Sequence, residues 1–148
     1  MTHRGSFGRN WSLIKLARTY HPHDIAGEIL AELAADPLQR EKVSSAAKRI
    51  GEAEGRRFLE RSPEGISPAD ILDGYFLIHA IPTEADREST PPALYVKKEC
   101  GSLFPGQGCS PAILAAYISG FTRAIAPNAL VQDGGDHLII SFPAPPEA

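Results

Sequence analysis

The longest helical pattern in the chain runs from about Leu38 to Arg61, and it contains two glycines, Gly51 and Gly55. Residues four apart lie on one helical face. Each glycine costs a helix about 1 kcal/mol relative to alanine. The return for that cost is close approach of another backbone, because a glycine has no Cβ to hold a neighbour away. The rest of this face is thin as well: Val43, Ala46, Ala47, Ile50, Ala53 and Phe58. The pattern therefore predicts a long helix with a second backbone element seated against its small residues.

The chain has 148 residues, which favours one domain. A chain of this size buries about two-thirds of its surface on folding and needs no staples. With 43% hydrophobic and 22% charged residues, it has the composition of an ordinary globular domain and not of a disordered chain or a coiled coil. No apolar run approaches the length of a membrane span. The first twenty residues lack an apolar core followed by a small-residue cleavage site, so no secretory signal is expected. Two cysteines fit a reducing compartment, and a cytoplasmic location is expected.

Charge is uneven. Residues 1–23 hold Arg4, Arg9, Lys15 and Arg18 and no acid. The other 11 of the 15 basic side chains face all 18 acids in the remainder. An acidic body argues against nucleic acid as a ligand. Residues 1–20 are read as a basic amphipathic helix or arm, with Leu13, Leu16, Ala17 and Tyr20 at helical spacing. Residues 21–148 are read as a single α+β domain.

Within that domain, His21-Pro22-His23 breaks the first helix and opens the next, whose face is Ile25, Ile29, Leu30 and Leu33. Asp36-Pro37 ends it, and the glycine-bearing helix follows. Ser67-Pro68-Ala69-Asp70 has the chemistry of a helix start, and Asp73-Gly74 is read as its stop. Tyr75 to Ile81 is a run of β-type side chains closed by Pro82, and it predicts a strand. Residues 82–92 predict an exposed connection, and Leu94–Glu99 a return strand. Ser110-Pro111 opens an amphipathic helix with Ile113, Leu114, Tyr117, Ile118, Phe121 and Ile125 on its apolar face. Residues 129–132 and 138–142 flank Asp133-Gly134-Gly135-Asp136 and predict a hairpin. The fold expected is α+β: N-terminal helices plus two antiparallel hairpins forming a sheet packed on helices.

Chemistry-bearing residues are sparse. Cys100 and Cys109 bracket a glycine-rich loop, with His79 before it and His137 after it. Zinc wants four ligands, and neither C-x-x-C nor H-x-x-x-H spacing occurs, so no metal site is assigned. Cys109 sits just before a helix start, where a thiol pKa falls, so a cysteine-dependent enzyme or accessory using Cys109 with His79 or His137 is one rival reading. No phosphate-binding glycine motif is present, and no catalytic residue or cofactor is assigned. On the expected strand, Tyr75 and His79 share a face. With Tyr117 and Phe121 they could line an apolar cavity between sheet and helix; the same residues would equally serve as plain core.

The segment Ala116-Tyr117-Ile118-Ser119-Gly120-Phe121-Thr122-Arg123-Ala124, followed by a closing hairpin, resembles the 4-vinyl reductase domain family. That family includes the sensory domains of aromatic-responsive regulators and methanogen output domains. Ile50-Gly51-Glu52-Ala53-Glu54-Gly55-Arg56-Arg57 is similar to the family's glycine-spaced helix, and the similarity spans roughly residues 40–142. The family's zinc site does not carry over, because the hairpin offers Gln132, Asp133, Leu138 and Ile139 with no glutamate or cysteine. The resemblance implies a cavity between helices and sheet for a small, largely apolar molecule, frequent homodimers, and Tyr117, Ser119, Gly120 and Phe121 as the matched positions. The expected function is a ligand-binding or sensory module for an apolar, aromatic or isoprenoid-like molecule, acting through a partner or through dimerisation. The expected ligand-binding residues are Tyr75, His79, Tyr117, Ser119, Gly120 and Phe121. A third reading, a structural interaction protein, rests on the 11–20 segment and the glycine-bearing helix.

Overall fold

Prolines and capping side chains divide the chain into its elements. The computed structural model describes residues 11, 13–15, 18–19, 25–99, 101, 103 and 110–144. Positions 11, 13–15, 18 and 19 are helical, and the side chains of Trp11, Leu13 and Ile14 are exposed. Helix α1 spans Ile25–Ala35, and α2 spans Pro37–Arg61. Asp36 separates them: its carboxylate accepts the Leu38 N–H at 2.9 Å, and Pro37 takes the first helical position, where a missing N–H costs nothing. Helix α3 spans Pro68–Ile78 and repeats the device, with Ser67 Oγ accepting the Asp70 N–H at 3.2 Å. Helix α4 spans Pro111–Ile125.

Helix α3 corrects the sequence reading. Asp73-Gly74 does not stop it, and Tyr75–Ile78 is its last turn and not a strand. Beyond Ile78 the helix closes in a Schellman arrangement: the Ile81 N–H donates to the Phe76 carbonyl at 2.9 Å and the Ala80 N–H to the Leu77 carbonyl at 3.1 Å. Ala80 holds the left-handed conformation, φ 55°, that glycine usually supplies here. Without that glycine the stop was invisible. Leu77 and Ile78 are 79% and 67% exposed, so the apolar run that looked like a buried strand is half surface.

The first strand pair lies further along the chain. Strands β1 (Thr83–Asp86) and β2 (Ala93–Lys97) form one hairpin, and β3 (Leu130–Asp133) and β4 (His137–Ser141) form the other. The strand order is β1-β2-β4-β3, antiparallel throughout. β2 and β4 are central, and their facing pairs Leu94–Ile140 and Val96–Leu138 are all buried. Period-two alternation turns these four side chains to one face, where they join Leu72 and Phe76 of α3 and Leu114, Ile118 and Phe121 of α4 in one core. β1 is tied to α3 by a hydrogen bond from Thr83 Oγ1 to Asp73 and by Arg87–Asp70 at 3.0 Å. The α+β architecture, a four-stranded antiparallel sheet packed against helices, is as expected.

The second layer rests on α2 against α4. A Cβ on Gly51 would collide with the Tyr117 carbonyl, and one on Gly120 with the Lys48 carbonyl. A Cβ on Gly55 would lie 2.8 Å from both the Phe121 carbonyl oxygen and the Ala124 Cβ. Both helices therefore supply glycine at the crossing, and the close approach expected for Gly51 and Gly55 is present. Helix α1 packs on α2 from outside and buries Ala34 and Gly27, whereas Ile29 and Leu33 stay exposed.

Gly51→Ala and Gly120→Ala are expected to cost about 1–3 kcal/mol each by forcing the two helices apart. Gly74→Ala is expected to do the reverse and gain up to about 1 kcal/mol, since it is helical with nothing near its Cβ position. Urea midpoints of the three variants check these opposite signs. Ala80→Gly is expected to stabilise by roughly 0.5–1 kcal/mol, because glycine occupies the left-handed C-terminal position without steric cost. An unchanged or lower midpoint for that variant would contradict this account of how α3 ends.

Candidate functional site

At the centre of the helical layer, rings from three helices meet. Tyr75 of α3 stacks on Phe121 of α4 with centroids 3.8 Å apart, and Phe58 of α2 meets Tyr75 edge-on at 5.0 Å. His79 follows Tyr75 by one turn and contacts its ring at 4.6 Å. The phenol oxygens of Tyr75 and Tyr117 lie 2.8 Å apart in a buried hydrogen bond. That bond satisfies two hydroxyls that would otherwise cost about 1–3 kcal/mol each to bury. Burial pushes both phenols above the ordinary tyrosine pKa, and the Glu54 carboxylate adds to both shifts; at Tyr75 the shared hydrogen bond adds further. The region where a sheet–helix cavity was expected is filled by these rings.

Open space lies on the other flank of α4. A groove of about 530 Å³ runs between α1, α2 and the start of α4. Val43, Ala46 and Ile50 of α2 form its floor; Leu30 and Leu33 of α1 form one wall, and Ile113 and Tyr117 of α4 the other. These side chains line it because the α2 stripe is too thin to fill the space between its neighbours. Ala46 and Ala47 stop at Cβ, and α1 tilts its larger residues only partly inward. Gln39 and Lys42 stand at the end of the groove nearest the α2 N-terminus. The volume falls within the range of small-molecule sites, roughly 300–1,000 Å³, and the lining has the apolar character with few polar groups that such sites show. A smaller cleft of about 190 Å³ between α3 and the β1–β2 hairpin is polar, and its Asp70 and Arg87 are already paired.

The six nominated residues fall in different places. Tyr117 lines the groove and is 9% exposed. Tyr75 and Phe121 lie behind it in the ring cluster. Gly120 is spent on the helix crossing. Ser119 is half-buried on α4, and His79 forms the C-terminal cap of α3. In the sequence Leu30, Leu33, Val43, Ala46, Ala47, Ile50 and Ile113 stand out only as helical packing stripes, and Gln39, Lys42 and Leu103 not at all. What could have flagged the groove is the excess of large apolar residues on α1 over what the alanine-rich face of α2 can cover.

Cys100 and Cys109 lie outside the described residues, as do His21 and His23. His137 begins β4, with its Nδ1 2.7 Å from the Asp136 carboxylate. Among the described residues no cluster of three or more histidine, cysteine or acidic side chains could hold a metal ion, and no helix is long and apolar enough to cross a membrane. Compared with protein families, curated proteins and solved structures, the chain matches no family model, no curated protein and no solved structure.

The tyrosine pair gives a pH signature. Both folded pKa values lie above the unfolded value of about 10. Burial of the two neutral phenols therefore contributes stability that is complete below pH ~10 and is lost as the pH climbs beyond it. Absorbance at alkaline pH is expected to show these two phenols ionising only as the protein unfolds. Tyr75→Phe and Tyr117→Phe should each remove part of that late amplitude. A double-mutant cycle should give a coupling of about 0.5–1.5 kcal/mol below pH ~10. Early, reversible ionisation of all tyrosines would contradict the buried pair.

Proposed function

We propose that the chain is a small-molecule-binding or sensory module of the cytoplasm, that its ligand is an apolar, aromatic or isoprenoid-like molecule, and that the α1–α2–α4 groove is where the ligand sits. The observation that carries this reading is the groove itself: about 530 Å³ of space with an almost wholly apolar lining, open at the surface. Exposed apolar surface is costly to leave in water, at about 25 cal/mol per Å². Ile29, Leu33, Leu38 and Ile50 stand exposed on α1 and α2. Leu33 and Ile50 belong to the groove lining, so part of this exposed apolar surface lies at its mouth, where an apolar ligand would cover it.

The resemblance of residues 40–142 to the 4-vinyl reductase domain family supports the class of ligand, a small apolar molecule, and not the place, since the sheet–helix cavity it implies is filled by the ring cluster. The readout would pass through a partner or a second copy. Here a ligand bridging α1 to α2 and α4 would fix how α1 lies on the layer beneath. Tyr117 links the groove to the ring cluster through its hydroxyl, so an occupant pressing on Tyr117 would be felt at Tyr75 and α3.

A thermal-shift and native mass-spectrometry screen of aromatic hydrocarbons, phenols and short isoprenoids tests this. A true ligand at 100 times its Kd is expected to add about 2.7 kcal/mol of stability. Ala46→Trp, which fills the groove floor, is expected to abolish the shift. Ile50→Gln, at an exposed position, should weaken it while leaving the fold intact. If no compound in the screen binds, or if Ala46→Trp binds as well as the parent, the groove is not the site.

A further inference from the structure

The groove has a chemical direction. Resting on the reading of the groove as a ligand site, we propose that its ligand is an amphipathic monocarboxylate, with the carboxylate held by Lys42 and Gln39 and an extended apolar body lying along α2 toward Tyr117.

Among the eleven lining residues Lys42 is the single charge, and no acid is present. Lys42 forms no ion pair among the described residues, whereas Arg56 pairs with Glu52 and Arg57 with Glu54 further along α2. Gln39 and Lys42 are three residues apart, so both project from one helical face toward the same end of the groove. The nearest acid in sequence, Glu41, is exposed, lies about 100° round the helix from Lys42 and is not part of the groove lining. One ammonium and one amide NH₂ supply donors for the two oxygens of a carboxylate. They match a single negative charge. A dianion such as a phosphate monoester would leave charge unpaired against an apolar wall, which is expensive.

Beyond Lys42 every α2 residue of the lining is apolar: Val43, Ala46, Ala47 and Ile50. From Lys42 to Ile50 the helix advances about 12 Å. That length suits an extended tail better than a compact ring, and Tyr117, whose carbonyl lies against Gly51, borders the far part of the lining. A polar head at the rim and a tail inside is also the orientation that leaves the charge near water.

The probes are dodecanoate and dodecanol, which share a tail and differ in the head, each used below its micellar concentration with the full chain. Dodecanoate is expected to bind more tightly than dodecanol. Lys42→Gln should weaken dodecanoate by about tenfold, the size of one charge-assisted hydrogen bond at a partly exposed site, and Lys42→Glu by more. Dodecanol should be indifferent to both substitutions. Raising ionic strength should weaken the acid and not the alcohol. Lys42 is exposed, so neither variant threatens the fold. Equal binding of acid and alcohol, or a Lys42→Gln variant that binds dodecanoate unchanged, overturns carboxylate recognition and leaves the groove as an apolar site. Binding of neither, with Ala46→Trp indistinguishable from the parent, overturns the groove reading and this proposal together.

Discussion

The arrangement depends on how closely α2 and α4 can approach. Gly51 and Gly55 on one helix and Gly120 on the other remove the atoms that would separate them, so carbonyl oxygens of each helix come against the backbone of its neighbour. A helix pair separated by ordinary side chains sits 8–10 Å apart and fills its seam with those side chains. Here the seam is nearly empty of them, and the large residues of α4 are pushed to its two flanks. On one flank Leu114, Ile118 and Phe121 join the sheet core. On the other, Ile113 and Tyr117 reach the groove. A wider crossing would let α4 turn or drop its bulk into the seam, and both flanks would change together.

That division explains why the interior is solid on one side of α4 and open on the other. The solid side has matching volumes: Phe58, Tyr75 and Phe121 are large rings from three helices, with Leu72 and Phe76 beneath them. On the open side α2 offers alanines, and α1 supplies Leu30 and Leu33 without enough beneath them to close the gap. Tyr117 belongs to both sides. Its ring borders the groove and its hydroxyl is bound to Tyr75 in the packed cluster, so a hydrogen bond joins the two regions through it.

The sequence carried some of this and concealed the rest, for identifiable reasons. The break at Asp36-Pro37, the cap at Ser67, the glycine pair of α2 and the apolar stripe of α4 are local signals, and each element formed where its signal stood. The fold class followed from them. The end of α3 was concealed because Ala80 takes a conformation normally announced by glycine, while Gly74, a usual stop, sits inside the helix. β1 was concealed because it is a short edge strand of polar composition, Thr83–Asp86, and edges are where charge is tolerated. Tyr75 and His79 were expected to share a face as strand neighbours two apart; they share one as helix neighbours four apart. The groove's one hint, large residues on α1 set against alanines on α2, is not local to either element. The groove arises from three elements distant in sequence whose sizes fail to match, and a mismatch of volumes is visible only once the elements are placed.

This mismatch separates the groove from an ordinary packing defect. A defect in a core is small and closed and is costly because neither water nor protein fills it. The groove is open to solvent and large, and a short list of substitutions on α2, alanine to leucine at 46 or 47, could have reduced it without touching the glycine crossing. Lys42 at its rim adds a second asymmetry: a lone cation beside an apolar floor on a body whose remaining charge is mostly acidic. Space without fill and charge without a partner occur at the same place, and an amphipathic anion is the kind of molecule whose two ends answer both.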